Sequence, residues 1–537
     1  MIHPFLILLS ILTLTTGTRI AEDKVYQSIQ DNLFCFRRLN STHEIGCQTH
    51  PSLGDVGVLY YINRMTDIWY VTNHSTVGPF VVILPLDLFT TDNLKAFRSS
   101  NKVNGVLVIK NMNSSSSSPA KYFSPDKSCP NDNYGLYREE EGGDYASMSH
   151  CRKQDWTRPH DANPALDMMF ENWPFPIFLI TKEESVTRLI KCFNTFNRPE
   201  DEGISRSYPL CAAQIKILMH AAVSSKKCMS RNEKSFTVDQ SHFCDPLSSR
   251  NIFSYLFVPA NHERKERAVD KSIVLLTARL DSFSMFEELV PGTSTITGLV
   301  TLMAVAKTMS ALKESIKIKQ KNQHMNLVFA IFDGEAFDYI GSSATAVDMM
   351  SERFPSVVSS KIIPQNITLD SLHSVIELNQ LSKTNGSIFI HSDPVSKKES
   401  NVRKAYDIFM NYLQQERDYV NQVSVSEVED LGLPPSSVQS FLRQKKDLLG
   451  IHLSNHHKQY EERFVNSFLD DPTWFSQKEF ETNFTTYLTD VAVLVSRTLY
   501  RILTDQHAVP SSVKIEPQYD FVSIFIFLLL SASVRFA

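Results

Sequence analysis

The sequence predicts an α/β protein with two lobes. The large lobe has a mainly parallel mixed sheet flanked by helices, and a smaller, β-rich N-terminal lobe carries disulfides. The chain has 537 residues, which is enough for more than one domain. All eight cysteines lie in its first half. In the second half, apolar runs of strand length alternate with helical patterns, which is the order of a parallel sheet.

The composition supports a folded protein and excludes one class of partner. Hydrophobic residues make up 42% of the chain, which is ample for a large core. The net charge is -5 and no long basic run occurs, so we expect no nucleic-acid partner.

The N-terminus has the pattern of a secretory signal peptide over residues 1–18. An apolar stretch at 5–14 is followed by the small residues Thr16, Gly17 and Thr18, although no Lys or Arg precedes it. A buried first helix or strand is the alternative.

The small N-terminal lobe is expected over residues 19–245. A serine-rich stretch at Asn111–Pro130 and an acidic, glycine-containing stretch at Arg138–Asp144 predict loops. Short apolar runs predict strands at Val58–Ile62, Phe80–Leu84, Val103–Ile109 and Ile177–Ile180.

The cysteines and sequons both favour an extracellular type of protein. An even, clustered set of cysteines behind a secretory signal predicts disulfides, and no Cys-x-x-Cys spacing suggests a zinc ribbon. Many pairings are possible; we predict that neighbours pair and close local loops, as Cys35–Cys47, Cys129–Cys151, Cys192–Cys211 and Cys228–Cys244. Asn-x-Ser/Thr sequons predict N-glycosylation at Asn40, Asn73, Asn113, Asn366, Asn385 and Asn483.

The large lobe is expected over residues 246–505. A helix is predicted at Gly298–Leu312, a charged and largely solvated helix at Glu399–Gln422, and a closing amphipathic helix at Tyr487–Thr504. Continuous apolar runs predict strands buried on both faces at Ser272–Ala278, Met325–Phe332 and Ser374–Leu378.

Residues 506–537 form an atypical short hydrophobic tail. Its apolar part, Phe521–Val534, is shorter than the ~20 residues that a membrane span needs. We favour a truncated or alternatively spliced end. A processed lipid-anchor signal and a strained, short membrane segment are the alternatives.

The stretch from Asp333 to Ser342 carries the main functional signal. Its order, Asp-Gly-Glu-Ala-Phe-Asp-Tyr-Ile-Gly-Ser, resembles the active-site loop of two-zinc aminopeptidases, where a Glu-Glu pair precedes a Gly-Ser turn. In those enzymes the first Glu is the general base and the second binds zinc. Here Glu335 keeps the first position, and Ala336, which has no lone pair for a metal, takes the second.

The other metal-ligand positions of that family are also altered. The His-x-Asp after the first strand becomes Arg-Leu-Asp at 279–281, and the Pro-Gly-x-Asp-Asp loop becomes Pro-Gly-Thr-Ser-Thr at 291–295. The Asp expected after the third strand falls at Asn379. The late His falls at Asn466, in a run that ends at Asp470.

We therefore predict no metal site and no cofactor, because all five ligand positions are lost. Without a metal-activated water, Glu335 as a general base contributes only ~10²–10⁴-fold. We expect an ion pair between Arg279 and either Asp281 or Glu335 in place of the metal.

A second resemblance involves a more specific segment. The Asp-Tyr-Ile-Gly-Ser order is similar to the signature of the nicastrin family, the glycosylated subunits of γ-secretase, and the Ala-Arg-Leu-Asp-Ser run at 278–282 resembles the same family. The resemblance covers most of residues 19–505 and implies an aminopeptidase-like large lobe. We predict loop-shaping and helix-capping roles for Asp338, Gly341 and Ser342. The segment consists of Asp338, Tyr339, Ile340, Gly341 and Ser342.

The resemblance implies a non-catalytic subunit of an intramembrane aspartyl protease. The implied partners are presenilin, which carries the catalytic aspartates, and two small multi-span subunits. Its ectodomain, in the ER or Golgi lumen or outside the cell, would support assembly and exclude type I membrane substrates, such as Notch-like receptors, that have not been shed. The alternatives are a secreted zinc aminopeptidase and an inactive-peptidase receptor ectodomain of the transferrin-receptor kind.

Two roles of the loop residues stay open. A substrate-gating pocket of Glu335, Tyr339, Arg279 and Asp281 would let Glu335 meet a free N-terminal amine, with Tyr339 at the entrance. Alternatively, Glu335 and Tyr339 hold the loop and the lobe interface together, in which case breaking an ion pair there damages folding.

Overall fold

The computed structural model describes most of the two lobes. Isolated described positions are 27–29, Leu136, Met168, Ala268 and Asp470. The continuous described ranges are 32–39, 44–49, 55–109, 171–199, 209–215, 225–234, 250–257, 270–282, 284–286, 292–320, 325–355, 366–381, 386–429, 431–457 and 484–535. The predicted signal peptide lies outside them.

Short strands and helices build the N-terminal lobe. Its strands are β1 (Asn32–Phe34), β2 (Arg37–Leu39), β3 (Glu44–Cys47), β4 (Asp55–Tyr61), β5 (Phe80–Pro85), β6 (Val103–Ile109), β7 (Asn172–Trp173), β8 (Ile177–Ile180) and β9 (Ala212–Ile215). Its helices are α1 (Met65–Trp69), α2 (Thr91–Ser100), α3 (Glu183–Phe196) and α4 (Ser225–Lys234). The four strands predicted from the sequence are confirmed as β4, β5, β6 and β8.

The main sheet of this lobe has the order β1-β8-β6-β5-β4-β9. Its inner strands β8, β6, β5 and β4 are parallel, while β1 and β9 pair antiparallel at the edges. Every residue of β5 is buried, as expected for a strand covered on both faces. The lobe is therefore a parallel α/β layer, which the sequence pattern of short apolar runs did not reveal.

Two disulfides of the predicted set join elements of this lobe. Cys35–Cys47 links the end of β1 to β3, and Cys192–Cys211 links α3 to the segment before β9. Cys228 is also disulfide-bonded, and no cysteine is free within the described ranges. The predicted partners Cys129, Cys151 and Cys244 lie outside those ranges.

Longer elements build the large lobe. Its strands are β10 (Ile252–Tyr255), β11 (Ile273–Arg279), β12 (Asn326–Phe332), β13 (Leu372–Leu378), β14 (Ser387–Ser392), β15 (Ser424–Glu427) and β16 (Leu449–Ser454). Its helices are α5 (Thr293–Ala311), α6 (Lys313–Lys319), α7 (Ile340–Met350), α8 (Ser400–Glu416), α9 (Val438–Gln444), α10 (Thr485–Thr504) and α11 (Tyr519–Arg535).

The large-lobe sheet has the order β10-β12-β11-β13-β16-β14-β15. The central strands β12, β11, β13 and β16 are parallel, and the antiparallel pairs are β10 with β12 and β14 with β16. Helices α5, α8 and α10 contribute to the core on one face, and α7 and α9 to the core on the other. This confirms the predicted mainly parallel mixed sheet between helices.

The prediction of a largely solvated helix at Glu399–Gln422 was wrong. Helix α8 ends at Glu416, and one face of it is buried, including Tyr406, Phe409 and Leu413. The helix is amphipathic: Arg403, Lys404 and Asp407 lie on its outer face, whereas Glu416 is buried and paired, so a high local charge did not exclude a buried stripe.

The apolar tail forms α11, which packs on the large lobe. Val522 and Ile526 are buried in the core that includes α5, whereas Ile524 and Phe527 are more than half exposed. Across the described ranges, no single helix has both the length and the hydropathy to cross a bilayer; only α5 and α6 taken together, with a 62° bend, reach those values.

The two lobes meet through a loop of the large lobe. Phe286 forms an isolated β-bridge with Cys35 and lies 6.4 Å, centroid to centroid, from the ring of Phe89. Phe286 and Met285 are both 2% exposed and belong to the core of the N-terminal lobe. The loop that follows β11 therefore anchors one lobe in the other.

A buried ion network between α8 and α10 offers a test of the large lobe. Glu416 accepts from Arg497 at 2.6 Å and from Arg501 at 3.1 Å, and the Arg501 side chain is 2% exposed. We expect Glu416→Gln to lower the free energy of unfolding by about 3 kcal/mol, because two arginines then lose their counter-charge. Urea unfolding measures this.

The matched control lies on the exposed face of the same helix. Asp407 pairs with Arg403, and both side chains are more than half exposed. Asp407→Asn should change the unfolding midpoint little. Equal losses for the two variants would contradict a dominant role of the buried network.

Candidate functional site

The candidate site lies where neighbouring parallel strands end. Arg279, the last residue of β11, pairs in register with Phe332, the last residue of β12. Since β11, β12 and β13 are parallel, the loops after them leave from the same edge of the sheet. This edge brings together the predicted residues Asp281, Glu335 and Asn379.

The loop after β12 has an unusual backbone. Gly334, Asp338 and Tyr339 have φ values of 79°, 62° and 57°, which is the left-handed region. A Cβ at Gly341 would lie 2.4 Å from the carbonyl oxygen of Asp333, so only glycine fits at this close approach. The roles that we predicted for Asp338 and Gly341 in shaping the loop agree with this geometry.

Glu335 lies at the centre of this loop and is almost inaccessible, with 1% of its surface exposed. Its Oε1 accepts from the backbone N–H of Ser342 at 2.8 Å, and its Oε2 accepts from the hydroxyls of Ser342 and Ser437 at 2.7 and 2.6 Å. Glu335 therefore caps the first turn of α7 and ties it to the segment before α9. The capping group is the carboxylate of Glu335, while Ser342 is the donor.

Burial changes the acidity of Glu335. The pKa of its carboxyl is raised from 4.5 to about 7, mainly by desolvation and to a smaller extent by the nearby charge of Asp281, against the hydrogen bonds from Ser437 and Ser342. At neutral pH a large fraction of this carboxyl is therefore protonated, unlike a surface glutamate.

Asp281 binds backbone groups. Its two carboxylate oxygens accept from the N–H groups of Glu335 and Ala336 at 2.9 and 2.8 Å. The Nε of Arg279 donates to the backbone carbonyl of Asp281 at 3.1 Å. Among the described residues, Arg279 forms no ion pair with Asp281 or Glu335, contrary to our expectation. Two backbone N–H groups bind Asp281, and one N–H group and two hydroxyls bind Glu335.

Hydrogen bonds or apolar contacts occupy the other former ligand positions. Ser294 donates to Asp470 through its backbone N–H at 3.3 Å and its hydroxyl at 2.6 Å. Asn379 donates to Glu377 at 3.1 Å. Ala336 is 1% exposed and packs against partly buried apolar side chains, among them Phe36 of the N-terminal lobe. No group of three or more His, Cys, Asp or Glu in the described ranges is arranged to hold a metal ion.

Tyr339 is also buried. Its residue is 3% exposed, and its left-handed backbone precedes the first residue of α7. In this conformation the side chain does not form an open pocket entrance, so its position fits the role of holding the loop.

Sequence reasoning missed the serines that face Glu335. Ser437 and Ser440 are 1% exposed, and the hydroxyl of Ser440 lies 2.8 Å from that of Ser342. Ser440 lies in the short helix α9, and Ser437 is the residue before it. This helix packs against α7. The Pro-Pro-Ser-Ser run at 434–437 marks a helix start, but nothing local to it indicates the partner, which is about a hundred residues away.

Comparisons with known families agree along the chain. A family described as the nicastrin small lobe matches residues 34–221, and one described as the nicastrin large lobe matches residues 272–500. A protein named Nicastrin from Mus musculus is 31% identical over 520 residues, covering 94% of this chain and 68% of the relative. Nicastrin from Homo sapiens is 32% identical over 499 residues, covering 90% and 66%. The chain thus spans about two thirds of the length of these relatives.

A solved structure supports the same fold. The crystal structure of the gamma-secretase component Nicastrin superposes with a TM-score of 0.66 over 94% of this chain and 78% of that one. The sequence identity is 20%, so this likeness concerns the fold alone.

The raised pKa of Glu335 gives a pH test of its role. Between pH 4.5 and about 7 the unfolded carboxyl releases its proton and the folded one keeps it, so this group lowers stability as pH rises. Glu335→Gln removes this dependence, because an amide can accept from Ser342 and donate to the hydroxyls. Relative to this variant, the wild type should lose about 3 kcal/mol across that window, measured by urea unfolding.

The control for this measurement is Glu314→Gln, at an exposed carboxylate of α6. The free energy of unfolding of this variant should change with pH as that of the wild type does. A Glu335→Gln profile that also follows the wild type would show that Glu335 ionises as freely as a surface group.

Proposed function

Because the chain belongs to the nicastrin family, we propose that it is a non-catalytic subunit of a γ-secretase-type intramembrane protease complex. In this proposal the large lobe is a metal-free derivative of an aminopeptidase scaffold, used for support and recognition. About a third of the length of each of these relatives lies outside the part that this chain matches, so complex membership is part of the proposal.

The observation that carries the non-catalytic role is the chemistry at the former ligand positions. Each carboxylate oxygen of Asp281 accepts from one backbone N–H group, and Asp470 is bound to Ser294. Arg279 and Ala336 offer no electron pair to a metal. A secreted zinc aminopeptidase would need carboxylates or histidines free to bind metal at this edge, and these residues do not supply them.

We further propose that Glu335 and Tyr339 hold the loop and do not contact substrate. Glu335 is fully engaged by Ser342 and Ser437, and both loop residues are buried. A substrate amine could reach the carboxylate only after these bonds break. Selection of shed type I membrane proteins, such as Notch-like receptors, would then depend on the bulk of the ectodomain.

The expected setting is the secretory pathway. Disulfides within the N-terminal lobe are typical of proteins that fold in an oxidising compartment. Of the two described sequons, Asn73 is exposed, whereas Asn366 is 9% exposed and donates to the carbonyl of Glu352 at 2.9 Å. Asn73 is therefore the better candidate for a glycan. The other sequons, Asn40, Asn113, Asn385 and Asn483, lie outside the described ranges.

Complex membership is tested by affinity purification of the tagged chain from membranes in mild detergent, with mass spectrometry of its partners. We expect presenilin and the two small multi-span subunits to co-purify. A matched chain that ends at residue 505 tests the contribution of the tail. A soluble, glycosylated protein recovered without presenilin would count against the proposal and favour a secreted ectodomain.

The non-catalytic role needs a separate assay. The purified chain, supplied with Zn²⁺, should hydrolyse amino-acid amide and peptide substrates no faster than a Glu335→Gln variant. Hydrolysis that requires both zinc and Glu335 would instead establish the aminopeptidase alternative.

A further inference from the structure

Three neighbouring strands of the large lobe align a row of ionisable side chains. In register, Glu377 of β13 pairs with His452 of β16, and His452 pairs with His391 of β14. Residues paired in register point to the same face of a sheet, so the three side chains are adjacent. None of them is more than 1% exposed.

A third histidine completes a cluster with this row. His456, in the turn after β16, is 0% exposed. The ring centroids are 5.7 Å apart for His391 and His452, 5.4 Å for His391 and His456, and 5.8 Å for His452 and His456. His391, His452 and His456 are called the histidine cluster below. Like the other ionisable groups of the described residues, the three rings are not arranged to hold a metal ion.

The cluster connects two strands. The Nε2 of His391 lies 2.8 Å from the backbone carbonyl of His456, which joins β14 to the turn after β16. That turn also borders the candidate site, because the N–H of Asn455 donates to the carbonyl of Gln380 at 2.9 Å. A change at the cluster would therefore reach the loop after β13.

Among the residues that the structure describes, two carboxylates lie near the cluster, and both are engaged. The Oε2 of Glu377 lies 3.8 Å from the Nδ1 of His452, while Oε1 accepts from Asn379 and Oε2 also receives the N–H of Val438 at 3.4 Å. The carboxylate of Asp393, after β14, accepts from the N–H and hydroxyl of Ser396.

Two further titratable groups within the described part of the large lobe do not compensate a second proton. His457, next along the chain, adds positive charge and further disfavours protonation of His391. Glu335 is held by Ser437, the residue before α9, and its raised pKa leaves it partly neutral.

We propose that the histidine cluster is a proton-sensitive latch, which holds β14 to β16 while its rings are neutral and loosens this edge of the large lobe in acid. Glu377 can balance one imidazolium. A second proton would place two positive charges within one dry cluster, and their repulsion and need for water favour an opened edge. This regulation goes beyond the proposed function and does not depend on it.

The direction of the pH effect follows from the environment of the rings. Burial, and then the charge of His452, lower the pKa of His391 to about 3, and burial with the other two rings lowers the pKa of His456 well below 6.5. The stability that neutral rings contribute is present above about pH 6.5 and is lost as pH falls below it, since the unfolded rings take up protons there. Each such ring raises the opening equilibrium by up to about tenfold per pH unit.

Hydrogen exchange of the full chain tests the latch. Exchange at about pH 7 and about pH 5.5, corrected for the intrinsic rates, should show lost protection in Ser387–Ser392 and Leu449–Ser454 at the lower pH. Between these two pH values, the loss of protection in the double variant His391→Gln, His456→Asn should be at least about tenfold smaller than in the wild type. His74→Gln, at an exposed histidine of the N-terminal lobe, is the control and should behave as the wild type.

A second variant keeps the rings and removes their counter-charge. Glu377→Gln leaves His452 without a carboxylate, so acid should open this edge further than in the wild type, with up to about tenfold greater exchange near pH 5.5. The proposal is overturned if the acid loss in these strands is unchanged in both variants, or if it appears equally in β5 of the N-terminal lobe. Persistence of the acid response in the double variant would assign it to other groups.

Discussion

The carboxylate of Asp281 determines the arrangement of the candidate site. It lies just after β11 and accepts the N–H groups of Glu335 and Ala336, which fixes the loop after the neighbouring strand β12. A charged carboxylate that accepts hydrogen bonds from two backbone N–H groups binds them more strongly than a neutral side chain would. Once the loop is fixed, Glu335 faces inward and caps α7, and through Ser437 it positions α9. Hydrogen bonds between the loops thus hold these residues in place, which in a two-zinc aminopeptidase is done by the bound metal.

The alanine at position 336 also permits contact between the lobes. The methyl group of Ala336 packs beside Phe36, which follows the disulfide-bonded Cys35, and the backbone N–H of Phe36 donates to Met285 at 3.3 Å. A glutamate at 336 would place a carboxylate in this apolar contact and would need water or a metal to remain charged. The closed contact between the lobes therefore requires an apolar residue, and not a metal-binding carboxylate, at position 336.

The sequence predicted those features that depend on local pattern. Strands β11 and β12 contain long apolar runs, and the apolar residues of β13 are interrupted by His373, Ser374 and Glu377; the type and order of the three strands followed from hydrophobicity. The site residues were found because Glu335 and Asp281 belong to a recognisable spacing. The groups that bind Glu335 and Asp281 were not predicted, because Arg279 was considered only as a charge and was expected to pair with one of these carboxylates. The backbone N–H groups that compete for Asp281 become visible only when two loops are placed side by side.

Helix α8 and the histidine cluster show the same limit in different ways. The charge of α8 is real, but its buried stripe depends on α10, which is some eighty residues away. His391 and His452 are separated by about sixty positions and meet only through the order of the strands. An isolated histidine carries no signal in a sequence, and only the register of a sheet turns several of them into a group.

Two kinds of buried titratable group in the large lobe, the carboxyl of Glu335 and the rings of His391 and His456, act in opposite directions. Glu335 favours its neutral form and lowers stability as pH rises from 4.5 to about 7, whereas His391 and His456 favour their neutral forms and lower stability as pH falls below about 6.5. In the interval where both titrate, two histidines outweigh one carboxyl, so acid destabilises the lobe on balance. Above about pH 6.5, only the last part of the Glu335 titration still changes the stability of the lobe. Burial of both kinds of group near one edge of the sheet thus places the most stable state of this lobe close to neutral pH and leaves that edge as its acid-labile part.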